Sequence, residues 1–591
     1  MNYFKITITR KHIYSIILKV ISSIALYYYF ILIDKALGLE NFVALTICIV
    51  SMLINIKNIR TNALIVAWLF SFTTLQGILL SSGRGMSIAR IATIFVGSVD
   101  ISLIVYYISA KVNSILTTYA VCNNSQTQEF EKKNVRILSG IIMFVCWIPT
   151  WLAFFPGLFT NDVVEQAVET IGSYSTHHPL LHTLFLQACL QIGRLLGNIN
   201  IGVALNCAIQ MLIMAISLSA VISYMHYKRI RVAIIIVTQL FFSLFPVFPI
   251  MSISTTKDTL FTSFFTLLIL ETIKIENNDT QLNKNIILKL SAFGALSMLL
   301  RNNAVYVIPL ALLPMCIKTR EKSKKYIYVL TLTILIYTCT NSIMIAATNA
   351  KGDPNHNEML SVPYQQIART YTLQNDELSN KEREKIEYYI PNVEEYNPIK
   401  SDRVKENARA DHNISDFIQL YIKMLLKYPM TYVDAFLINT LGYWYVNDTT
   451  AAVGYGTAAA GGTVGYMYMY IWEHLGVEHK SLLPLIEKCY YYYFAYNHYL
   501  DIPLVSILFR CGIYIWMIIA FWIVCKNRNK SCTTAFFTVI MLLITLLFGP
   551  VCSLRYTFPF FTCFPIFFIT AYGNEMPANL NTNKQYSSIV N

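Results

Sequence analysis

Long apolar runs constrain this chain more than any other feature. Stretches such as IIMFVCWIPTWLAFF and VLTLTILIYTCTNSIMIAA approach the roughly 20 residues that cross a bilayer as a helix. Composition agrees with that reading. Hydrophobic residues make up 55% of the chain and charged residues only 13%, where a soluble domain averages about 25% charged. Such a chain is too apolar to stay disordered. The sequence predicts an all-α fold, a polytopic integral membrane protein.

The formal net charge of +13 raises the question of nucleic acid. Position answers it. The cations cluster in short loops between apolar runs: Lys5, Arg10 and Lys11; Lys57 and Arg60; Lys132, Lys133 and Arg136; Lys228, Arg229 and Arg231; Lys318 to Lys325; Lys526 to Lys530. This is the positive-inside pattern, which reads these loops as cytoplasmic and makes the lipid bilayer, not nucleic acid, the partner. The 13 cysteines are scattered and read as packing residues. The first apolar run lacks a small-residue cleavage site and is followed by more spans, so no cleavable signal peptide is expected.

Spans are expected near residues 13–33, 40–56, 62–81, 91–110, 137–155, 201–224, 232–250, 259–275, 286–300, 303–317, 326–346, 504–525, 533–549 and 556–573. The short pair around Arg301 also reads as two tilted or re-entrant pieces. The expected organisation is a four-span block at 1–110 and a cytoplasmic linker at 111–136. A membrane core follows at 137–346, with a first external loop at 156–200. A large, mostly helical extracytoplasmic domain is expected at 347–503. C-terminal spans at 504–573 and a cytoplasmic tail at 574–591 complete the chain. Within the first loop, LLHTLFLQACLQIGRLLG reads as a helix lying on the membrane. Within the large segment, AAVGYGTAAAGGTVGYMYMY is a glycine-rich loop.

Polar groups embedded in apolar sequence fall on the external side of this map. The loop FPGLFTNDVVEQAVETIGSYSTHHPLLHTLF carries Asp162, Glu165, His177, His178 and His182. Asp162 reads either as a general base at the bilayer surface or as the cap of the helix that follows. Lys257 and Asp258 in STTKDTLF read as a phosphate-binding lysine held by an acid, or as a snorkelling lysine beside a cap. Arg301 in LLRNNAVYVIPL, and Arg555 with Tyr556 in SLRYTFPFF, place cations where the charge bias disfavours them. They read as partners of an anion or as side chains reaching lipid phosphates. Asp100 lies well inside a span, where acids are functional candidates, and Lys19 is a potential partner.

The loop FPGLFTNDVVEQ with STHHPLLHTLF resembles the first external loop of GT-C type membrane glycosyltransferases, such as protein O-mannosyltransferases and aminoarabinose transferases. There an acid follows the first core span, and a Pro-Leu element follows the acid. A broader resemblance is to an uncharacterised bacterial family of multi-spanning proteins. It covers STTKDTLF, LLRNNAVYVIPL, EMLSVPYQQIART, LLKYPMTYVDAFLINTLGYWY and SLRYTFPFF, most of residues 137–573. His-His-Pro-Leu has one proline where GT-C loops have two. A single Asp stands where metal-dependent oligosaccharyltransferases carry paired acids, so a divalent metal is conceivable but not expected.

The resemblance implies a GT-C-like helical bundle in a bacterial plasma membrane. It would transfer a sugar from a polyprenyl-phosphate (undecaprenyl-phosphate) carrier to a cell-envelope glycan or protein acceptor outside. Asp162 would be the general base. Lys257, Asp258, Arg301, Arg555 and Tyr556 would form the carrier-phosphate site, and His177 and His178 would position the donor. The 347–503 segment would cap the site. A transporter or flippase for a lipid-linked saccharide, a polysaccharide polymerase or ligase, and a non-catalytic scaffold are the competing classes. The first needs polar residues at mid-membrane, of which Asp100 is the clearest.

Overall fold

The structure is a computed structural model. It describes residues 10–33, 59–121, 132–158, 174–318, 323–352, 359–409, 413–448, 475–495 and 498–574, with single positions within 43–54 and 163–167. The glycine-rich 454–465 loop and Asp162 lie outside the described residues. Among the described residues the regular structure is helical, and β pairing is confined to isolated bridges. The protein is an all-α, multi-pass membrane protein.

Six described helices are long and apolar enough to cross a bilayer: Thr61–Ser81, Ile88–Tyr119, Asn134–Ala153, Ile199–Tyr227, Lys324–Thr348 and Leu554–Tyr572. A seventh is reached by counting Val232–Leu244 and Val247–Ile253, bent by 47°, as one span. Pro246 sits at that bend and caps the second piece, as expected of a residue without a donor N–H. Several expected spans are shorter helices, among them Cys511–Asn527 and Thr533–Leu547. The Ala304–Lys318 helix matches the short piece expected at 303–317, while Ile88–Tyr119 and Ser323–Thr348 are longer than the spans expected there. The polar stretch at 111–136 is not wholly linker, because one helix continues to Tyr119 and the next starts at Lys132.

The chain divides into two compact units. One holds residues 1–116 and 357–448, the other residues 117–356 and 449–591. The segment expected as one block at 347–503 is therefore split between them.

In the first unit, Leu26, Tyr29, Leu75, Leu79, Ile94, Leu441 and Tyr445 form one core. Buried Asp434 ties its parts together. Its Oδ1 accepts from the Met86 backbone N–H at 2.7 Å, and its Oδ2 lies 3.6 Å from Arg369 Nη2. Burial pushes its carboxyl up, against the bond from Met86 and the charge of Arg369. A second core gathers Tyr364, Ile367, Ile386, Phe417, Leu420 and Met424. The Asn380–Tyr389 helix opens with a full capping box between Ser379 and Glu382.

Burial alone would raise the Glu382 carboxyl. Lys423 Nζ at 2.8 Å, the Ser379 backbone N–H at 3.0 Å and Lys427 Nζ at 3.0 Å outweigh it, and the group is held down at about 2. The folded value lies below the ordinary 4.5, so its stabilisation is complete above that value and is lost as pH falls toward about 2. Protection of the Asn380–Tyr389 amides, taken relative to their intrinsic exchange rate at each pH, is expected to fall through that window. Glu382→Gln is expected to remove the pH dependence while raising exchange at neutral pH.

In the second unit, the Leu554–Tyr572 helix is buried around nearly its whole circumference. Lys257–Glu276 lies beside it. Thr266 Oγ1 meets Thr562 Oγ1 at 2.6 Å, and Asp258 meets Arg555 eight and seven residues earlier. The two helices therefore run in the same direction with their N-termini together. Their far ends are held by ionic and carbonyl contacts. Lys228 Nζ binds Asp279 at 2.7 Å, while Arg528 and Lys530 donate to the carbonyls of Ala571 and Gly573. The Leu180–Leu195 stretch is a helix that buries His182, Thr183, Leu186, Gln187, Cys189 and Leu190 along one face.

Candidate functional site

The site is built where Lys257–Glu276 and Leu554–Tyr572 begin. The cap of the first helix is Thr256 rather than Asp258. Its hydroxyl accepts from the Asp258 backbone N–H at 3.4 Å and donates to Asp258 Oδ2 at 3.1 Å. Asp258 thus sits in the first turn, where a negative charge is favoured. The preceding strand of backbone is clamped to the end of the Lys132–Ala153 span. The Thr255 N–H donates to the Leu158 carbonyl at 2.7 Å, and the Leu158 N–H donates to the Ile253 carbonyl at 3.0 Å. This close approach needs Gly157, since a Cβ there would run into Cys207 Sγ.

Arg301 arrives from a different part of the chain. The Lys284–Leu300 helix ends at its extended backbone, and a new helix starts at Ala304. Its Nη1 pairs with Asp258 Oδ1 at 2.7 Å, with side chains 10% and 1% exposed. Its Nε donates to Asn303 Oδ1 at 3.0 Å, and Asn303 Nδ2 donates to Thr545 Oγ1 at 2.8 Å. The guanidinium also lies over the rings of Phe261 and Tyr556, at 5.4 and 4.8 Å. These contacts satisfy a cation that is otherwise costly to bury.

Arg555 completes the charged core. Its Nη1 is 4.0 Å from Asp258 Oδ2, and its Nη2 donates to the Tyr556 hydroxyl at 2.9 Å. The Tyr556 ring has Arg301 at 4.8 Å and Arg555 at 4.7 Å. Next to Asp258 in the chain, Lys257 Nζ lies 3.2 Å from His178 Nδ1. A protonated lysine can only donate, so His178 Nδ1 accepts and its ring proton is assigned to Nε2. His178 is buried and His177 half-buried, their rings edge-to-face at 4.7 Å. Asn302 Nδ2 donates to the His177 carbonyl at 3.1 Å and fixes this loop against the Arg301 turn.

The structure therefore brings Lys257, Asp258, Arg301, Arg555, Tyr556, His177 and His178 to one place. Two arginines flank one carboxylate, and Lys257 stands beside it against His178. Asp258 and Arg301 are buried, while Lys257, Arg555, Tyr556 and His177 are partly buried at the rim. His182 is separate from them, with Nδ1 3.0 Å from Gln166 Oε1. Asp162 follows the clamped Leu158 by four residues in the chain and lies outside the described residues. Among the described residues no group of three or more His, Cys, Asp or Glu is placed to hold a metal ion.

Sequence reasoning missed Thr256, Asn302, Asn303 and Thr545. The signal available was the Arg-Asn-Asn triplet at a break between apolar runs.

The sequence model of one protein family matches residues 168–585, and that family is described as one of unknown function. No curated protein and no solved structure matches the chain.

Proposed function

The chain belongs to the family of unknown function DUF6020, and we propose that it is a GT-C-like glycosyltransferase of a bacterial plasma membrane. It would move a sugar from an undecaprenyl-phosphate carrier to an extracytoplasmic cell-envelope acceptor. The observation that carries this reading is the meeting of Arg301 and Arg555 at Asp258, with Lys257 at the adjacent position against His178, beside the N-termini of two long helices.

Helix N-termini and cations together favour a phosphate. In the transfer, a bond forms between the acceptor oxygen and the anomeric carbon. The bond from that carbon to the carrier phosphate breaks, and the phosphate keeps the electron pair. The departing group gains a negative charge, and fixed cations lower the energy of that developing charge. Lys257 and Arg555, partly buried and more accessible than Asp258, meet it directly. Arg301 has Nε and Nη1 engaged by Asn303 and Asp258, so its ligand contact is through Nη2. His178, held against Lys257, and His177 beside it position the donor. Asp162 takes the proton of the acceptor hydroxyl.

The orientation is supported by charge. Lys228, Lys274, Lys289, Arg528 and Lys530 gather at the far end of these helices, which the positive-inside rule assigns to the cytoplasm.

Asp162→Asn tests the reading. The amide keeps the shape but removes the base, so transfer in membranes is expected to fall at least a hundredfold with expression unchanged. If Asp162 only caps a helix, asparagine caps equally well. Full activity in the variant would then sink the assigned role.

A further inference from the structure

The first unit holds a buried polar cluster that the site above does not use. Asp100 has no exposed surface and lies twelve residues into the 32-residue Ile88–Tyr119 span. At about 1.5 Å per residue it is some 18 Å from the start of that helix, well within the membrane. Three hydroxyls surround it. Ser51 Oγ donates to Oδ1 at 2.9 Å, Ser23 Oγ lies 2.7 Å from Oδ2, and Ser22 Oγ accepts from the Asp100 backbone N–H at 3.1 Å. Gly97, three residues earlier, lets the Arg10–Ile33 helix close on this point, since a Cβ there would be 3.2 Å from Leu26.

The proton count at Ser23 is the informative feature. Its hydroxyl has one hydrogen and two acceptors in reach: the Lys19 carbonyl at 2.9 Å and Asp100 Oδ2 at 2.7 Å. When Ser23 donates to the carbonyl, the 2.7 Å contact requires a hydrogen on Asp100. When Asp100 is ionised, the same hydroxyl turns and donates to it. Both forms are satisfied by rotating one hydroxyl, so the cradle accommodates gain and loss of a proton without rearranging the helices.

Lys19 does not neutralise the carboxylate by direct contact. Its Nζ donates to the Ser51 carbonyl at 2.7 Å, and it reaches Asp100 through that residue. Among the described residues Lys19 is the charged group acting on Asp100 from the Arg10–Ile33 helix, and the helical residues 49–51 contribute Ser51. A carboxylate held at this depth without a direct counter-ion is costly, and binding a proton removes the charge.

We infer that Asp100 is a proton-binding site, with Ser22, Ser23 and Ser51 as its cradle, in a part of the chain outside the matched 168–585 stretch. The inference is independent of sugar transfer.

Infrared difference spectroscopy on the full-length protein in nanodiscs tests it. Subtracting Asp100→Asn from wild type at neutral pH is expected to reveal a protonated-carboxyl band. The band should disappear on alkaline titration, shift in Asp100→Glu, and shift again in Ser23→Ala. Asparagine is isosteric with the neutral acid, so Asp100→Asn is expected to insert and fold. Should it not fold, the shifts in Asp100→Glu and Ser23→Ala carry the assignment. A wild-type spectrum without a band that responds to these substitutions would leave Asp100 a fixed carboxylate and overturn the proposal.

Discussion

Asp258→Asn is expected to destabilise the protein by about 3–5 kcal/mol, the range seen when one partner of a buried ion pair is removed. The carboxylate is 1% exposed and serves two guanidiniums, at 2.7 Å and 4.0 Å. The asparagine amide keeps one acceptor for Arg301 but places donors opposite donors toward Arg555. It also leaves the charge of Arg301 uncompensated. Phe261, Tyr556 and Asn303 hold that guanidinium in place and prevent it from swinging out to water. Thermal unfolding in detergent checks the loss. The double change Asp258→Leu with Arg301→Met removes both charges together and is expected to recover most of the stability, because apolar residues often replace a buried pair without cost. It should not recover carrier binding. A single Asp258→Asn variant as stable as wild type would mean that the pair contributes nothing to the fold.

The charged members of the site were legible because burying a cation is expensive. Arg301 and Arg555 interrupt apolar sequence at span ends where topology disfavours positive charge, and cost of that kind points to a compensating partner. The partner was legible too, since Asp258 is an acid next to Lys257 at a helix start. Its role was only half readable: sequence suggested a cap, whereas Thr256 caps and Asp258 pairs with arginines distant in the chain. The latching role of Asn302, Asn303 and Thr545 was not legible. Neutral side chains occur throughout spans and caps, and only the folded geometry shows that they latch the Arg301 turn to His177 and to the Thr533–Leu547 helix.

The same limit applies to the larger organisation. Apolar periodicity told which segments are helices. It carried no information on which long-range partner each helix chooses. The grouping of residues 357–448 with residues 1–116 rests on contacts such as Asp434 with Met86, separated by 348 positions. Helix ends departed from the expected span ends in both directions for a related reason, with Ile88–Tyr119 longer and Cys511–Asn527 shorter than the apolar run read there. A run of apolar residues includes the breaks and turns at its ends, and Pro246 or Arg301 ends a helix without ending the apolar character.

Arg301→Lys is expected to weaken binding of a polyprenyl-phosphate analogue about tenfold or more while leaving the protein folded. Lysine keeps a positive charge that can still pair with Asp258. It loses the planar fork that lets one side chain hold Asp258 through Nη1, Asn303 through Nε and a phosphate through Nη2 at the same time. A hydrogen bond to a charged group contributes roughly 1.5–3 kcal/mol, and each 1.4 kcal/mol is about a factor of ten in affinity. The comparison with Asp258→Asn separates two roles. If Arg301 serves only the fold, the lysine variant that retains the ion pair should bind carrier normally. If it also grips the phosphate, binding falls while thermal stability changes little. Titration in nanodiscs with the analogue measures the first quantity and thermal unfolding the second. Equal binding by wild type and Arg301→Lys would confine Arg301 to the ion pair, leaving Arg555 and Lys257 as the residues that meet the ligand.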